Sequence, residues 1–256
     1  YGEEDDVAGI EVADLNRDGL PDIVLGQHFN STVDADCTVP VRLYLHRGVV
    51  DGDPTFEDVT DQAGLVGFST KAPHVEVEDF DNDGWPDILA TAAASDGARP
   101  AVLRNLGVQD GVPRFESDTG LGDERYWITG ATADFDDDGR VDVFVVDPDP
   151  ARRSLLLRND SASRHWLEVE LALGPADVGT VVEVYQAGQM GSPAGLLGRR
   201  ELLAGRGNAA GGLPRLHFGL GDETVVDLLV RPPRGGTVIE RRDTAADRRY
   251  CFRPSC

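Results

Sequence analysis

Short apolar runs separated by turn-forming and acidic residues cover the first 160 residues of the chain. They come in pairs around three aspartate-rich loops, and each run is only three to five residues long. Runs of this length that are bounded by turn residues are typical of buried strands. The pattern therefore predicts three hairpins, each made of a strand, a loop and a strand. The runs before the loops are residues 8–12, 74–77 and 128–131, and those after them are 23–25, 88–90 and 143–146.

Each hairpin is followed by a third apolar run, and the first two copies add a fourth run around a phenylalanine. Because the loops begin at residues 14, 79 and 134, the unit recurs after 65 and then 55 residues. About four strands in a unit of this length indicate a β-propeller blade rather than a helical repeat. The third runs lie at 41–47, 101–105 and 155–159, and the fourth runs lie at 55–60 and 114–117.

The three loops share the pattern D-x-[DN]-x-D-G-x-x-D: loop 1 is DLNRDGLPD at 14–22, loop 2 is DFDNDGWPD at 79–87 and loop 3 is DFDDDGRVD at 134–142. Calcium takes roughly six to eight oxygen ligands. Side chains at positions 1, 3, 5 and 9 of a curled loop, and the backbone carbonyl at position 7, can converge on one ion. We therefore predict three calcium sites. Their ligands are Asp14, Asn16, Asp18, Leu20 and Asp22; Asp79, Asp81, Asp83, Trp85 and Asp87; and Asp134, Asp136, Asp138, Arg140 and Asp142.

The residues after each loop exclude an EF-hand. An EF-hand loop has a glutamate at position 12 and opens into a helix, whereas position 12 here is Leu25, Ala90 or Val145. Each loop is instead the turn of a β-hairpin, with a glycine at position 6 that permits a positive φ. A bound ion would neutralise the mutually repelling carboxylates of this turn, so we expect calcium to have a structural role.

These units resemble FG-GAP/VCBS repeats, the calcium-bearing blades of integrin-α-type β-propellers and of many secreted bacterial proteins. The loop, its flanking strands, the L-x-R-N strand and the Phe-Glu-Asp-Val-Thr stretch recur in order over residues 1–162. The resemblance implies an all-β fold and a secreted or cell-surface location. Propellers have four to eight blades, and only three are visible. We therefore expect a partial β-propeller, or one completed by other chains in an oligomer. Its open face could be covered by further blades outside these residues, by another chain or by the C-terminal domain.

The character of the chain changes near residue 163, where the aspartate loops stop and alternating runs begin. Alternation with glycine turns predicts a small antiparallel β-sandwich or barrel over residues 163–250. This segment resembles the ASPIC/UnbV domain in its opening His165-Trp166-Leu167 and in the Leu-His-Phe-Gly-Leu-Gly motif at 216–221. It departs from that family in a shorter loop before Gly179. The resemblance implies no settled biochemical role.

The charge of the chain limits its partners. It has 46 acidic and 24 basic residues, a formal net charge of −22. Eleven of the acids lie at the predicted ligand positions, and three bound Ca²⁺ ions would leave a net charge of about −16. This excess disfavours nucleic acid and anionic membrane surfaces as partners. No apolar run approaches the roughly 20 residues of a membrane-spanning helix.

Three cysteines predict disulfide chemistry with one thiol left over. Cys251 and Cys256, in a tail at 251–256, can pair locally, or Cys37 can pair with one of them. Three unpaired thiols are a further alternative. The chain starts at Tyr1 without a signal peptide, so we expect a processed secreted form or a fragment. The exposed edges of an open arc of blades predict homo-oligomers, or assembly with other surface proteins or glycans.

An enzyme or carbohydrate-binding protein is the alternative function. The five histidines are scattered, and no catalytic triad or zinc-type spacing occurs. His28 and His74 lie near the hairpins, and Trp85 and Trp127 lie where they could stack on a sugar, although packing is the simpler interpretation. Asn30 and Asn159 begin N-glycosylation triplets. We therefore expect a structural or adhesive extracellular module, with a carbohydrate-active propeller as the alternative.

Overall fold

The computed structural model of the 256-residue chain describes residues 5–29, 41–65, 74–91, 101–118, 130–146, 151, 153–171, 178–205 and 215–252. The described residues form eighteen strands, one short helix and two 3-10 turns, as predicted for an all-β protein. Loops 1, 2 and 3 join β1 to β2, β5 to β6 and β9 to β10. The strands of the first half are β1 Asp5–Ala13, β2 Asp22–Phe29, β3 Val41–Val50, β4 Asp53–Asp58, β5 Val75–Glu78, β6 Asp87–Ala90, β7 Ala101–Gln109, β8 Val112–Asp118, β9 Gly130–Ala133, β10 Asp142–Val145 and β11 Leu155–Leu157.

The first half consists of three antiparallel sheets, one for each repeat. Sheet 1 has the order β1-β2-β3-β4, sheet 2 has β5-β6-β7-β8 and sheet 3 has β9-β10-β11. Among the described residues sheet 3 has no fourth strand, in agreement with the absence of a fourth apolar run there. Helix α1 (Thr60–Ala63) follows β4 and ends at Gly64, which has a φ of 82°. Within the described residues no sheet closes on itself, and the predicted number of propeller blades stays a prediction.

Neighbouring repeats pack through the residue at position 2 of each loop. Leu15 belongs to a buried cluster that joins sheets 1 and 2 and includes Leu43 and Ile88. Phe80 belongs to a second cluster that joins sheets 2 and 3 and includes Val143. The equivalent residue of loop 3, Phe135, is 48% exposed. Position 2 is therefore buried wherever the next repeat is present.

The C-terminal half consists of two sheets that share one hydrophobic cluster. Sheet 4 has the order β15-β12-β18, and sheet 5 has β14-β13-β16-β17. Leu167, Val182, Leu216 and Leu228 lie in the cluster between them. The 3-10 turns span Pro193–Gly195 and Pro233–Gly235. The strands are β12 His165–Leu171, β13 Val181–Gln186, β14 Leu196–Glu201, β15 Arg215–Gly221, β16 Val225–Arg231, β17 Ile239–Ala245 and β18 Arg248–Phe252.

One pairing in this half differs from the predicted antiparallel arrangement. Strands β12 and β18 are parallel, with Leu167 opposite Arg248. The chain leaves β17 in sheet 5 and enters β18 in sheet 4 after only two residues. This strand also contains Cys251, which the sequence placed in a tail and which is exposed. Cys37 and Cys256 lie outside the described residues, so the disulfide alternatives stay predictions.

Candidate metal centres

The aspartate at position 1 organises each loop in the same way. Its two carboxylate oxygens accept hydrogen bonds from the backbone N–H groups at positions 5 and 6. In loop 2 these bonds are 3.1 Å from Asp83 and 2.7 Å from Gly84 to Asp79. Asp14 and Asp134 make the equivalent bonds, at 2.8–3.1 Å. The position 6 glycines have φ values of 85–90°, as the predicted tight turn requires.

The aspartate at position 9 connects each loop to the rest of its sheet. One oxygen of Asp87 accepts the N–H of position 2 at 3.0 Å, and the other accepts the N–H of Asn105 in the third strand at 2.8 Å. Asp22 and Asp142 accept the equivalent bonds, at 2.8–3.2 Å. The aspartates at positions 1 and 9 are all at most 5% exposed. Hydrogen bonds from the third strand therefore fix the carboxylate at position 9. The sequence predicted this residue as a ligand but did not reveal its contact with the third strand.

Two of the three loops bring carboxylates close enough to share one ion. Asp79, Asp81 and Asp87 in loop 2 each offer an oxygen within 4.8 Å of the others, and the same is true of positions 1, 3 and 5 of loop 3. In loop 1 the residue at position 3 is Asn16, whose amide donates to Asp18 at 2.9 Å. The backbone N–H of each position 7 residue donates to the carboxylate at position 5, at 2.8–3.0 Å. That the backbone carbonyl at position 7 binds the ion stays a prediction.

Burial and crowding make these carboxylates costly to ionise without a counter-ion. Burial raises the pKa of both Asp14 and Asp22 to about 7, and burial with the neighbouring loop 2 carboxylates raises the pKa of Asp79 to about 8. Burial also raises the pKa of Asp87 well above its ordinary value. A divalent cation would supply the missing positive charge. The donor set is oxygen only, which suits a hard ion such as calcium. The residues therefore fit the group that the sequence predicts.

Arginines also neutralise the ligand at position 3 where it is charged. Arg158 contacts Asp136 at 2.7 Å, and Arg104 lies 3.8 Å from Asp81. Both arginines occupy the same place in the third strand. In the first repeat that place is taken by the buried Leu45, and position 3 is the neutral Asn16. An arginine in the third strand thus accompanies an aspartate at position 3, and a leucine accompanies the neutral asparagine. Comparison of the three repeats in the sequence would have found this correlation.

Comparison with known proteins decides the family of the chain. Residues 14–90 and 79–145 match the FG-GAP-like repeat, and together they cover about half of the chain. The chain belongs to the FG-GAP-like repeat family. Residues 174–255 match the ASPIC and UnbV family. Both resemblances predicted from the sequence are confirmed.

Among curated proteins, cartilage acidic protein 1 is similar to most of the chain. The protein of Xenopus tropicalis is 28% identical over 237 residues, which are 89% of this chain and 34% of that protein. The proteins of Mus musculus and Homo sapiens are each 29% identical over 240 residues, which are 90% of this chain and 34% and 33% of those proteins. The chain therefore spans about a third of the length of the curated relatives it matches.

In the FG-GAP-like repeats, position 4 of each loop contacts the neighbouring element. Arg17, Asn82 and Asp137 occupy this position with φ values of 56–58°. The Arg17 guanidinium lies 3.7 Å from the centre of the Trp85 ring. Asn82 donates to the backbone carbonyl of Gly139 in loop 3 at 2.8 Å. These residues are not predicted ligands, so the spacing of ligands along the loop does not identify them. The sequence feature that could have identified them is the polar residue two places before the glycine of each loop.

Most candidate catalytic residues have structural partners. His74 is fully buried and lies 3.2 Å from Glu76. His165 contacts Asp247 at 2.8 Å. Burial lowers the pKa of His217 to about 4, so its ring is neutral near pH 7. Trp85 packs under Arg17, as the simpler interpretation predicted. The side chain of His28, as well as Asn30 and Trp127, lies outside the described residues.

The glycosylation triplet at Asn159 conflicts with the local structure. The Asn159 amide donates to the carbonyl of Phe80 at 2.7 Å and to that of Val141 at 3.0 Å. Attachment of a glycan to this nitrogen would remove a hydrogen and at least one of these bonds. The structure therefore uses this residue to join two repeats.

In the described part of the chain, no helix is long and apolar enough to cross a membrane.

Proposed function

We propose that this protein is a calcium-stabilised extracellular scaffold, in which one ion in each of three loops fixes the hairpin of an FG-GAP-like repeat. The supporting observation is the convergence of buried carboxylates whose pKa values rise to about 7 and 8. Outside cells calcium is in the millimolar range that such sites use. The similarity to cartilage acidic protein 1 supports the extracellular location.

Calcium titration of the metal-free protein tests this function. We expect three ions per chain by isothermal titration calorimetry, and a melting temperature that rises with calcium. At a free concentration 100 times the dissociation constant, one site adds about 2.7 kcal/mol of stability. Magnesium at the same concentration is the control, because it prefers a smaller and more rigid octahedral site. Equal melting curves in calcium and in excess EGTA would contradict the proposal.

We further propose that the scaffold works in assemblies in which repeats of different chains pack together. The supporting observation is the exposure of Phe135, at 48%, where Leu15 and Phe80 are buried against the next repeat. An additional repeat from a second copy would cover it in the same way. Light scattering in 2 mM calcium is the measurement. A multimer that Phe135→Asp converts to a monomer supports the assembly, and a wild-type monomer contradicts it.

A further inference from the structure

The motif of the ASPIC and UnbV domain contacts the metal loops of the repeats. Asn82, at position 4 of loop 2, is 1% exposed and accepts a 2.7 Å hydrogen bond from His217 Nε2 through its side-chain oxygen. Its backbone carbonyl accepts a 2.9 Å hydrogen bond from the N–H of Gly221. Its amide donates to Gly139 of loop 3. One residue therefore joins two metal loops and two residues of the motif at 216–221.

The orientation of these groups is fixed by their partners. The Asn82 nitrogen donates to a carbonyl, so its side-chain oxygen faces His217. This oxygen can only accept, so His217 Nε2 must carry the proton. The other ring nitrogen, Nδ1, is buried and has no hydrogen-bond partner among the described residues. The neutral ring therefore donates its single N–H to loop 2.

Glycine is required where β15 crosses loop 2. A Cβ on Gly219 would overlap Asp79 Oδ2 and lie 2.5 Å from the Asn82 Cα. All three atoms nearest to such a Cβ belong to loop 2, so the contact with loop 2 by itself demands glycine there. Gly139 of loop 3 faces the Trp166 ring in the same close way. Trp166 in turn stacks on His217, with ring centres 6.1 Å apart. The two halves thus meet backbone to backbone at the predicted ligand Asp79.

The charges of the two halves are complementary. Residues 1–162 contain 12 basic and 35 acidic residues, a formal charge of −23, and residues 163–256 contain 12 and 11, a formal charge of +1. Arginines of the C-terminal half bind acids in the loops or next to them. Arg200 contacts Glu78 at 2.7 Å, and Arg249 contacts Asp137, at position 4 of loop 3, at 2.6 Å. These arginines of the second half therefore lie against acidic residues on the loop face of the first.

We propose that the His-Phe-Gly-Leu-Gly segment at 217–221, with Trp166, is a docking surface for the ion-ordered form of loops 2 and 3. The inference rests on the proposed calcium sites. Asp79 both belongs to the predicted ligand set and touches Gly219. If the ion were removed, the link that it provides among the loop 2 ligands would be lost, and Asp79 and Asn82 would be free to leave the docking position. By linkage, calcium strengthens docking and docking strengthens calcium binding by the same factor.

Hydrogen–deuterium exchange of the full chain, with and without 2 mM calcium, tests the linkage. We expect calcium to slow exchange both in loop 2 and in residues 215–221, where Gly221 N–H donates to Asn82. Protection of loop 2 without any change in 215–221 would overturn the docking proposal while leaving the calcium sites intact. If calcium changed neither region, the proposed calcium function would fail as well.

Two variants separate docking from ligand loss. Gly219→Ala adds a methyl group against loop 2, and Asn82→Gly removes the central amide at a φ of 56° that glycine adopts readily. Neither change removes a predicted ligand. Asp110→Gly, in an exposed turn with a φ of 54°, is the matched control. We expect both variants to lose the protection of 215–221 and to bind calcium about fivefold or more weakly. Wild-type affinity in Asn82→Gly would overturn the proposal, even if Gly219→Ala failed to fold.

Discussion

The side-chain amide of Asn105 donates a 3.0 Å hydrogen bond to the backbone carbonyl of Leu15, 90 positions earlier in the chain. The same nitrogen donates to the carbonyl of Pro86 in its own loop, also at 3.0 Å. Asn159 makes the equivalent pair of bonds between sheets 2 and 3. In repeats 2 and 3, one asparagine at the third strand therefore joins its own metal loop to that of the preceding repeat.

Asn105→Ala should consequently loosen the contact between sheets 1 and 2. Asn105 is fully buried, and its loss leaves the Leu15 carbonyl without this donor. Leaving a buried polar group unpaired costs about 1–3 kcal/mol. Urea unfolding in 2 mM calcium measures the change in unfolding free energy. Gln109→Ala, at an exposed position of the same strand, is the control and should change it by less than about 0.5 kcal/mol. Equal effects of the two substitutions would contradict the role of Asn105.

The sequence predicts the elements that carry this contact but not the contact itself. Loops, hairpins and third strands follow from local patterns, because turn chemistry and apolar periodicity act within about ten residues. The L-x-R-N pattern marks Asn105 and Asn159 but not their partners, which lie 79 to 90 positions away. His46 replaces the asparagine in repeat 1, and its Nδ1 accepts the N–H of Gly48 at 3.1 Å as Asn105 accepts that of Gly107.

The contacts of the C-terminal half with loop 2 could not be predicted for the same reason. His217 and Gly219 stood out as family motif residues, but their partners lie some 135 residues earlier. No spacing rule relates positions so distant in sequence when one sheet packs on another. The parallel pairing of β18 with β12 likewise depends on a crossing between sheets, which alternation of apolar residues does not encode.

Removal of a single ligand should reduce only the calcium-dependent part of stability. Asp81→Ala and Asp136→Ala each remove the carboxylate at position 3 of one loop. We expect each to lower the melting temperature in 2 mM calcium, with a loss of about 2.7 kcal/mol if that site is bound at 100 times its dissociation constant. In excess EGTA the variants should melt close to the wild type, because repulsion within the loop falls when a carboxylate is lost. Differential scanning calorimetry makes both measurements.

Asp61→Ala is the control for these variants. Asp61 is an exposed acid in α1 and belongs to none of the three loops. It should leave the calcium-dependent shift unchanged. If Asp61→Ala lowered the shift as much as Asp81→Ala, general surface charge rather than the loops would explain calcium stabilisation.

Arg158→Gln should strengthen calcium binding at loop 3. Arg158 contacts Asp136 at 2.7 Å and Asp138 at 3.1 Å, so it occupies ligand oxygens and repels a cation. We expect an affinity increase of about two- to tenfold at 20 mM salt, and a smaller one at 500 mM salt because ions screen the exposed guanidinium. Arg153→Gln, an exposed arginine of the same segment, is the matched control. A weaker site in Arg158→Gln would mean that the arginine supports the loop rather than competing with the ion.

Stability should depend on pH with opposite sign in metal-free and calcium-loaded protein. Burial raises the pKa of Asp14 and Asp22 to about 7 and that of Asp79 to about 8, above their ordinary value of 3.8. A carboxyl group whose pKa is raised on folding stabilises the folded state fully at pH values below its pKa in the unfolded chain. This contribution is lost as the pH rises through the pKa of the folded state. Metal-free protein should therefore lose stability between pH 6 and pH 8, by about 2–4 kcal/mol.

Calcium should reverse this dependence, because it binds the ionised carboxylates and competes with protons for them. In 2 mM calcium the melting temperature should rise between pH 6 and pH 8, while that of metal-free protein falls by about 5–10 °C. Melting curves at pH 6, 7 and 8, recorded with calcium and after metal removal, make the comparison. Parallel slopes in the two series would mean that the aspartates at positions 1 and 9 do not bind the ion.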